Sequence, residues 1–95
     1  MARSEAHIPT DLAPRYLGQL CKHFEHKRPV EYTRDHGQIT FDTGVCRLDA
    51  TNTTLFLHAD APDAENLDKL QNVVVRHLER FAFRNPVEVT WTKED

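Results

Sequence analysis

Two stretches of the chain carry apolar residues at the spacing of an amphipathic helix. The first runs from Asp11 to Lys27, with Asp11 as a predicted cap, Pro14 in the first turn and Pro29 just beyond the end. The second follows the capping sequence of residues 60–63 and ends near Phe83. The apolar positions are Ala13, Leu17, Leu20, Cys21 and Phe24 in the first helix and Leu67, Leu70, Val74, Leu78 and Phe81 in the second.

Between and after these helices apolar and polar residues alternate, which is typical of strands with one buried face. The alternating sets are Val30/Tyr32, Ile39/Phe41, Cys46/Leu48/Ala50, Leu55/Leu57/Ala59 and Val87/Val89/Trp91. Short turns at Asp35-His36-Gly37, Asp42-Thr43-Gly44 and Thr51-Asn52-Thr53 predict a meander of four antiparallel strands. A weaker alternation predicts a further strand from Ala2 to Ile8, with Arg3, Glu5 and His7 facing outward.

The predicted order is therefore β-α-β-β-β-β-α-β, in a single α+β domain of residues 1–95. Because the strands and both helices each have one apolar side, we expect a two-layer sandwich with both helices on one face of a mainly antiparallel sheet. Phe24, Leu57, Val74 and Trp91 are expected to be buried. The other face should be open and mostly polar, with Glu31, Thr33, Gln38, Thr40, Arg47, Asp49, Phe56, His58, Glu88 and Thr90.

Composition limits the classes of function. The 12 Lys and Arg residues against 15 Asp and Glu residues give a net charge of −3, which disfavours nonspecific attraction to nucleic acid or to an anionic membrane. No leader-like apolar segment and no run approaching ~18 apolar residues is present, so we expect a cytoplasmic protein. The two cysteines, Cys21 and Cys46, both face inward by period and are expected to be free thiols in the core.

The densest group of chemically active side chains is the segment Cys21-Lys22-His23-Phe24-Glu25-His26-Lys27. Steps of about 100° along a helix put His23 and Lys27 on one flank with Tyr16, and His26 nearly opposite. A pair of histidines at i and i+3 is less suited to a shared metal than the i, i+4 pair of zinc proteases, and no complete set of ligand spacings accompanies it.

On the second helix His77 lies at the edge of the apolar stripe, with Arg80 on the same flank. If the two helices are neighbours, His23, Lys27, His77 and Arg80 form a small cationic pocket for an anion, with His26 as a further candidate. The alternative is a half-buried His77 bonded to a backbone carbonyl, with the other side chains solvated. A metal-dependent or histidine-based enzyme using His23, His26 and His77 is a second alternative, and a purely structural interaction module is a third.

Four segments resemble a family of small bacterial proteins grouped as domain of unknown function 2218. They are Leu20-Cys21-Lys22-His23-Phe24-Glu25-His26-Lys27, Gly44-Val45-Cys46 and His77-Leu78-Glu79-Arg80-Phe81-Ala82-Phe83, with a terminal Val89-Thr90-Trp91. The resemblance covers almost the whole chain and implies no defined reaction. It implies a setting near siderophore-interacting, flavin-binding reductases, and hence a ligand-binding or accessory role in iron handling, with a siderophore-related protein as a partner. The element order also resembles the layout of the TATA-binding protein, in shape only.

Overall fold

The computed structural model of the protein describes residues 1–82 and 87–94. It contains six strands and two helices in the predicted order. The elements are β1 (Ala2–Pro9), α1 (Ala13–Phe24), β2 (Val30–Tyr32), β3 (His36–Phe41), β4 (Gly44–Ala50), β5 (Thr54–Ala61), α2 (Ala64–Phe81) and β6 (Trp91–Glu94). The fold class is α+β, as the pattern predicts.

All six strands form one sheet in the order β2-β3-β4-β5-β1-β6, and every neighbouring pair is antiparallel. Strands β2 to β5 are the predicted meander. The predicted first strand is also present and pairs with β5 over its full length, with Ala6 opposite Leu57. It therefore lies inside the sheet and joins β6 to the meander.

Both helices lie on the same face of the sheet and share one core with it. Phe24, Leu57 and Val74 are buried there, as predicted. Alternate residues of the central strands supply the floor, and the apolar stripes of the helices supply the cover. The largest fully buried side chains are Ile8, Leu17, Leu20, Cys21, Ile39, Leu48, Leu55, Leu57, Leu67, Leu70, Val74 and Leu78. None of the helices in the described part of the chain is long and apolar enough to span a membrane.

The helix starts differ in their capping. At α2 the side chain of Asp63 accepts a hydrogen bond from the backbone N–H of Asn66 at 2.8 Å, as a capping aspartate should. The predicted cap of α1 by Asp11 is wrong, because Leu12 occupies the cap position and no side chain caps this end. Instead the Thr10 hydroxyl accepts from the Leu12 N–H at 3.1 Å.

The C-terminal end of each helix also differs from the predicted end. Helix α1 ends at Phe24 rather than Lys27, because the Phe24 carbonyl accepts from the N–H groups of both Lys27 and Arg28 and turns the chain. Helix α2 ends at Phe81, and the predicted boundary at Phe83 lies outside the described residues.

The last strand is the largest difference from the predicted fold. The alternation of Val87, Val89 and Trp91 predicts a strand there, but pairing begins only at Trp91, opposite Ala6, and continues to Glu94. Val87 and Val89 pack against the core without strand pairing, which is why their pattern alone misleads. Trp91 is only partly buried because it lies on the outermost strand.

The opposite sheet edge shows the same effect. By register Tyr32 faces the helix side of β2, as predicted, yet it stays 42% exposed because β2 is the other outermost strand. The predicted turn at residues 35–37 lies slightly earlier, since His36 and Gly37 already pair within β3 and Thr33 falls in the turn.

A close approach fixes how α1 sits on the sheet. A Cβ atom added to Gly37 on β3 would lie 2.7 Å from the Cys21 sulfur and 3.4 Å from a methyl carbon of Leu17. Atoms that close would overlap, so the absence of a side chain at Gly37 lets α1 rest directly on β3. On the other side of the core, the Gln71 amide of α2 donates to the Ser4 hydroxyl of β1, and this buried polar pair fixes α2 over β1.

Candidate functional site

The end of α1 and the last turns of α2 bring two histidines into contact. The ring centroids of His23 and His77 are 4.8 Å apart, and both rings also lie within 5.0 Å of the Phe24 ring. This follows from the helical stripes, because Phe24 belongs to the core stripe of α1 and its neighbour His23 lies at the border of that stripe. We call His23, His26, Lys27, His77 and Arg80 the helix-pair site.

His77 is held in one orientation by the backbone of its own helix. Its Nδ1 lies 2.7 Å from the carbonyl oxygen of Val73. A carbonyl oxygen can only accept, so Nδ1 carries the proton and donates it. In the neutral ring the lone pair is therefore on Nε2. The backbone bond expected from sequence for a half-buried histidine is present, and it leaves one ring nitrogen uncommitted.

Positive charge collects around His23. Partial burial of the ring lowers the pKa of His23 below the ordinary histidine value of 6.5, and the charges of His77, Lys27, Arg80 and His26 lower it further. The other four members of the helix-pair site thus all act electrostatically on His23. At neutral pH His23 is an uncharged imidazole near the cations Lys27 and Arg80.

Two shallow depressions flank the pair of histidine rings. The first, of about 340 Å³, is bordered by Gln19, Lys22, His23, His26 and Phe81. The second, of about 580 Å³, is bordered by Val73, Arg76, His77, Glu79 and Arg80. The side-chain oxygen of Gln19 is buried without a hydrogen-bond partner among the described residues. A ligand over the two rings would reach cations on both sides.

The helical projection is wrong for two residues near this site. His26 lies beyond the end of α1, so it does not point opposite to His23 but borders the same depression. Tyr16, predicted on the same flank as His23 and Lys27, is buried in the core with only 3% of its surface exposed.

The cysteines are both buried free thiols, as the pattern predicts. Burial raises the pKa of Cys21 to about 11, with a smaller contribution from Glu25. Burial also raises the pKa of Cys46 to about 12, with a smaller contribution from Cys21. Both thiols are therefore protonated at neutral pH, and the thiolate needed for nucleophilic attack or metal ligation is not formed.

Sequence reasoning placed most of a second group of side chains on the open face of the sheet but missed how these side chains line up. The strand registers align them in three rows across β3, β4, β5 and β1, which we call the open-face grid. The rows are His36, Asp49, Phe56 and His7; Gln38, Arg47, His58 and Glu5; and Thr40, Val45, Asp60 and Arg3.

Within the grid, imidazoles and carboxylates alternate. Asp49 contacts His36 Nδ1 at 2.5 Å and His58 Nε2 at 3.8 Å. Glu5 contacts the other nitrogen of His58 at 3.6 Å and His7 at 3.7 Å. The result is a continuous chain from His36 to His7 through two carboxylates. The alternation within each strand predicts which of these residues face outward. Only the pairing register between strands shows that they are neighbours.

Neither group forms a ready metal centre. Across residues 1–82 and 87–94, no three side chains of histidine, cysteine, aspartate or glutamate converge in an arrangement that could hold a metal ion. In the open-face grid the two ring nitrogens of His58 face different carboxylates, which spreads the ligands along a line.

Comparisons with known proteins relate this chain to bacterial proteins. The NMR structure of PA4090 from Pseudomonas aeruginosa is similar to this chain, with 39% identity, a TM-score of 0.82 and coverage of 97% of this chain and 96% of that chain. No curated protein matches. Residues 5–92 match the model of DUF2218, described as an uncharacterized protein conserved in bacteria. Since that match covers nearly the whole chain, the protein belongs to the bacterial DUF2218 family.

Proposed function

We propose that this domain binds a small anion at the helix-pair site. The observation that carries the proposal is the contact between the His23 and His77 rings, with basic side chains bordering the depression on each side. Burial, followed by the charges of the other site members, lowers the pKa of His23. None of the ion pairs within the described part of the chain includes any member of the site. An anion would supply the missing counter-charge.

The shape of the site suits a small ligand. The adjoining rings of His23, His77 and Phe24 form a fixed platform, because Phe24 is buried in the core and His77 is bonded to Val73. Lys22 of α1 borders the depression on one side of this platform, and Arg76 and Arg80 of α2 border the depression on the other. A carboxylate, a phosphate or a negatively charged metal chelate each offers the acceptor oxygens that these donors require.

Binding should be coupled to proton uptake. The same positive charges that disfavour protonation of His23 would be offset by a bound anion, so the protonated imidazole becomes more favourable in the complex than in the free protein. Affinity should therefore increase as the pH falls below 6.5, the ordinary pKa of histidine. It should also decrease as ionic strength rises, because exposed charges are screened.

Calorimetric titration with inorganic phosphate and with citrate tests this proposal. We expect binding by the wild type that strengthens as the pH falls below 6.5, and loss of most binding in the His23→Gln/His77→Gln double variant. A matched control is His7→Gln/His36→Gln, which removes two exposed histidines from the other side of the sheet. Retained binding in the first variant, or no binding of either anion to the wild type, would reject the site.

We further propose that the natural ligand is connected with iron or siderophore handling, with a siderophore-related protein as the partner. The support is the setting implied by the resemblance to the family and the affinity of a cationic site for negatively charged ferric chelates. The test compares a triply negative ferric tris-catecholate with a neutral ferric tris-hydroxamate. Binding of the charged complex alone supports the proposal. Equal binding of both, or phosphate binding without any binding of the ferric complexes, contradicts the iron connection and leaves the anion site intact.

A further inference from the structure

Arg47 occupies the centre of the open-face grid. The registers place it on β4 between Gln38 of β3 and His58 of β5, and its side chain is exposed. Because β4 lies between β3 and β5, its backbone is hydrogen-bonded to a strand on each side and is held in place. A guanidinium in this place has five N–H donors that can be presented to a ligand above the sheet.

Three of the carboxylates near Arg47 are engaged with other groups. Asp49 contacts His36 and His58, and Glu5 contacts His58 and His7. Asp60 contacts Arg3 at 3.2 Å. Glu31, opposite Gln38 in the same row, forms no ion pair among the described residues, and neither does Arg47.

The sheet provides an open depression beside Arg47. It has a volume of about 710 Å³ and is bordered by Arg3, Gln38, Val45, Arg47, His58 and Asp60, among others. A ligand here would meet a guanidinium, an amide and an imidazole at one end and the apolar side chain of Val45 nearby. This arrangement combines one strong anchor for an anion with polar groups that orient it.

We propose that the open face binds a ligand through a carboxylate group held by Arg47. Planar carboxylates match the fork of a guanidinium with two parallel hydrogen bonds. The nearby carboxylates of Glu5, Asp49 and Asp60 repel added negative charge, so a singly charged group is favoured over a phosphate dianion. The helix-pair site lies on the other side of the sheet, and this second site does not depend on it.

The carboxylate can belong to a free acid or to an acidic side chain of a partner protein. An NMR titration of the full chain distinguishes these sources with acetate and with a capped Ala-Glu-Ala peptide, and uses phosphate at about pH 8 as the doubly charged comparison. We expect acetate and the peptide to shift the Arg47 side-chain N–H resonance and the amide resonances of Gln38 and His58. Tighter binding of the peptide identifies a protein partner as the source, and equal affinity identifies a free acid.

Variants of Arg47 provide the decisive comparison. Arg47→Gln should weaken acetate binding at least about tenfold, because it removes charged hydrogen bonds, and Arg47→Lys should weaken it less because charge is retained without the fork. The matched control is Arg34→Gln, which changes an exposed arginine in the turn before β3. Unchanged affinity in Arg47→Gln, an absence of shifts around Arg47 with acetate, or tighter binding of the phosphate dianion there would overturn the proposal.

Discussion

The two faces of this small sheet hold similar side chains in opposite electrostatic states. At the helix-pair site His23 lies beside basic side chains, and burial together with these neighbours lowers the pKa of His23. On the open face, three histidines alternate with Asp49 and Glu5, so each of these histidines has an acid within contact distance. The first arrangement needs an external counter-ion, whereas the second provides most of its own.

The difference shows that the local charge around a site, rather than the net charge of the protein, determines which ions the site attracts. The net charge of −3 describes the whole chain and suggests little affinity for anions. Yet the charges are distributed unequally, and no member of the helix-pair site takes part in an ion pair within the described part of the chain. A local site can therefore bind ligands of the sign that the whole molecule repels.

Removing one phenylalanine from each side of the sheet should give the largest contrast. Phe24 is buried beneath the helix-pair site and contacts Phe41 and both histidine rings. Phe24→Ala should lower the free energy of unfolding by about 3–5 kcal/mol. Phe56→Ala should cost less than half as much, because Phe56 is half-buried on the open face and its ring contact is with His7. Urea denaturation of both variants checks this, and equal costs would contradict the assignment of the core to one face.

The contacts between histidines and carboxylates on the open face should contribute less to the free energy of unfolding than Phe24 does. Asp49→Asn removes a carboxylate that contacts two histidines, and we expect a loss of about 0.2–1 kcal/mol because such exposed pairs are weak. Asp68→Asn is the control, since Asp68 is exposed on α2 and belongs to none of the ion pairs found among the described residues. Thermal denaturation at low and high salt measures both. An equal loss of stability in the two variants would show that the contacts of Asp49 with the histidines add no stability.

The smallest effect concerns the pH dependence of stability. Because the folded-state pKa of His23 is lowered, the unfolded chain binds more protons below pH 6.5 than the folded chain, and the free energy of unfolding falls as the pH decreases. His23→Gln removes this contribution. As the pH falls from about 7.5 to about 5.5, the free energy of unfolding of the variant should therefore increase relative to that of the wild type. Urea denaturation at each pH measures both. A difference that stays constant, or that changes in the opposite direction, would show that burial and the neighbouring charges do not lower the pKa of His23.

Local patterns were sufficient to predict the layers of the fold and one contact of the candidate site. Alternation in β1 and in the meander fixes which side chains face the helices, and the 3.6-residue period places Phe24 in the core. With both helices on one face, the stripes place His23 and His77 on flanks that can meet, and the structure brings the two rings together. That contact also requires the helices to be neighbours, which periodicity does not fix by itself.

The remaining features depend on information that no local pattern contains. The open-face grid arises because β1 pairs with β5, about fifty residues away in sequence, which brings Glu5 beside His58. Similarly, Val87 and Val89 pack on the core with strand-like alternation, but backbone pairing begins only at Trp91. The position of His26 depends on where α1 ends, and two hydrogen bonds to the Phe24 carbonyl decide that point.

The bare backbone of Gly37 links the two sides of the molecule mechanically. With a hydrogen in place of a side chain, the strand sets the height of α1, because Cys21 rests directly on it. Cys21 and His23 belong to the same short helix, so a methyl group added beneath the sulfur would tilt or lift the whole element. The spacing between the imidazoles of His23 and His77 is thus controlled from a strand whose outward side chains, His36 and Gln38, belong to the opposite surface.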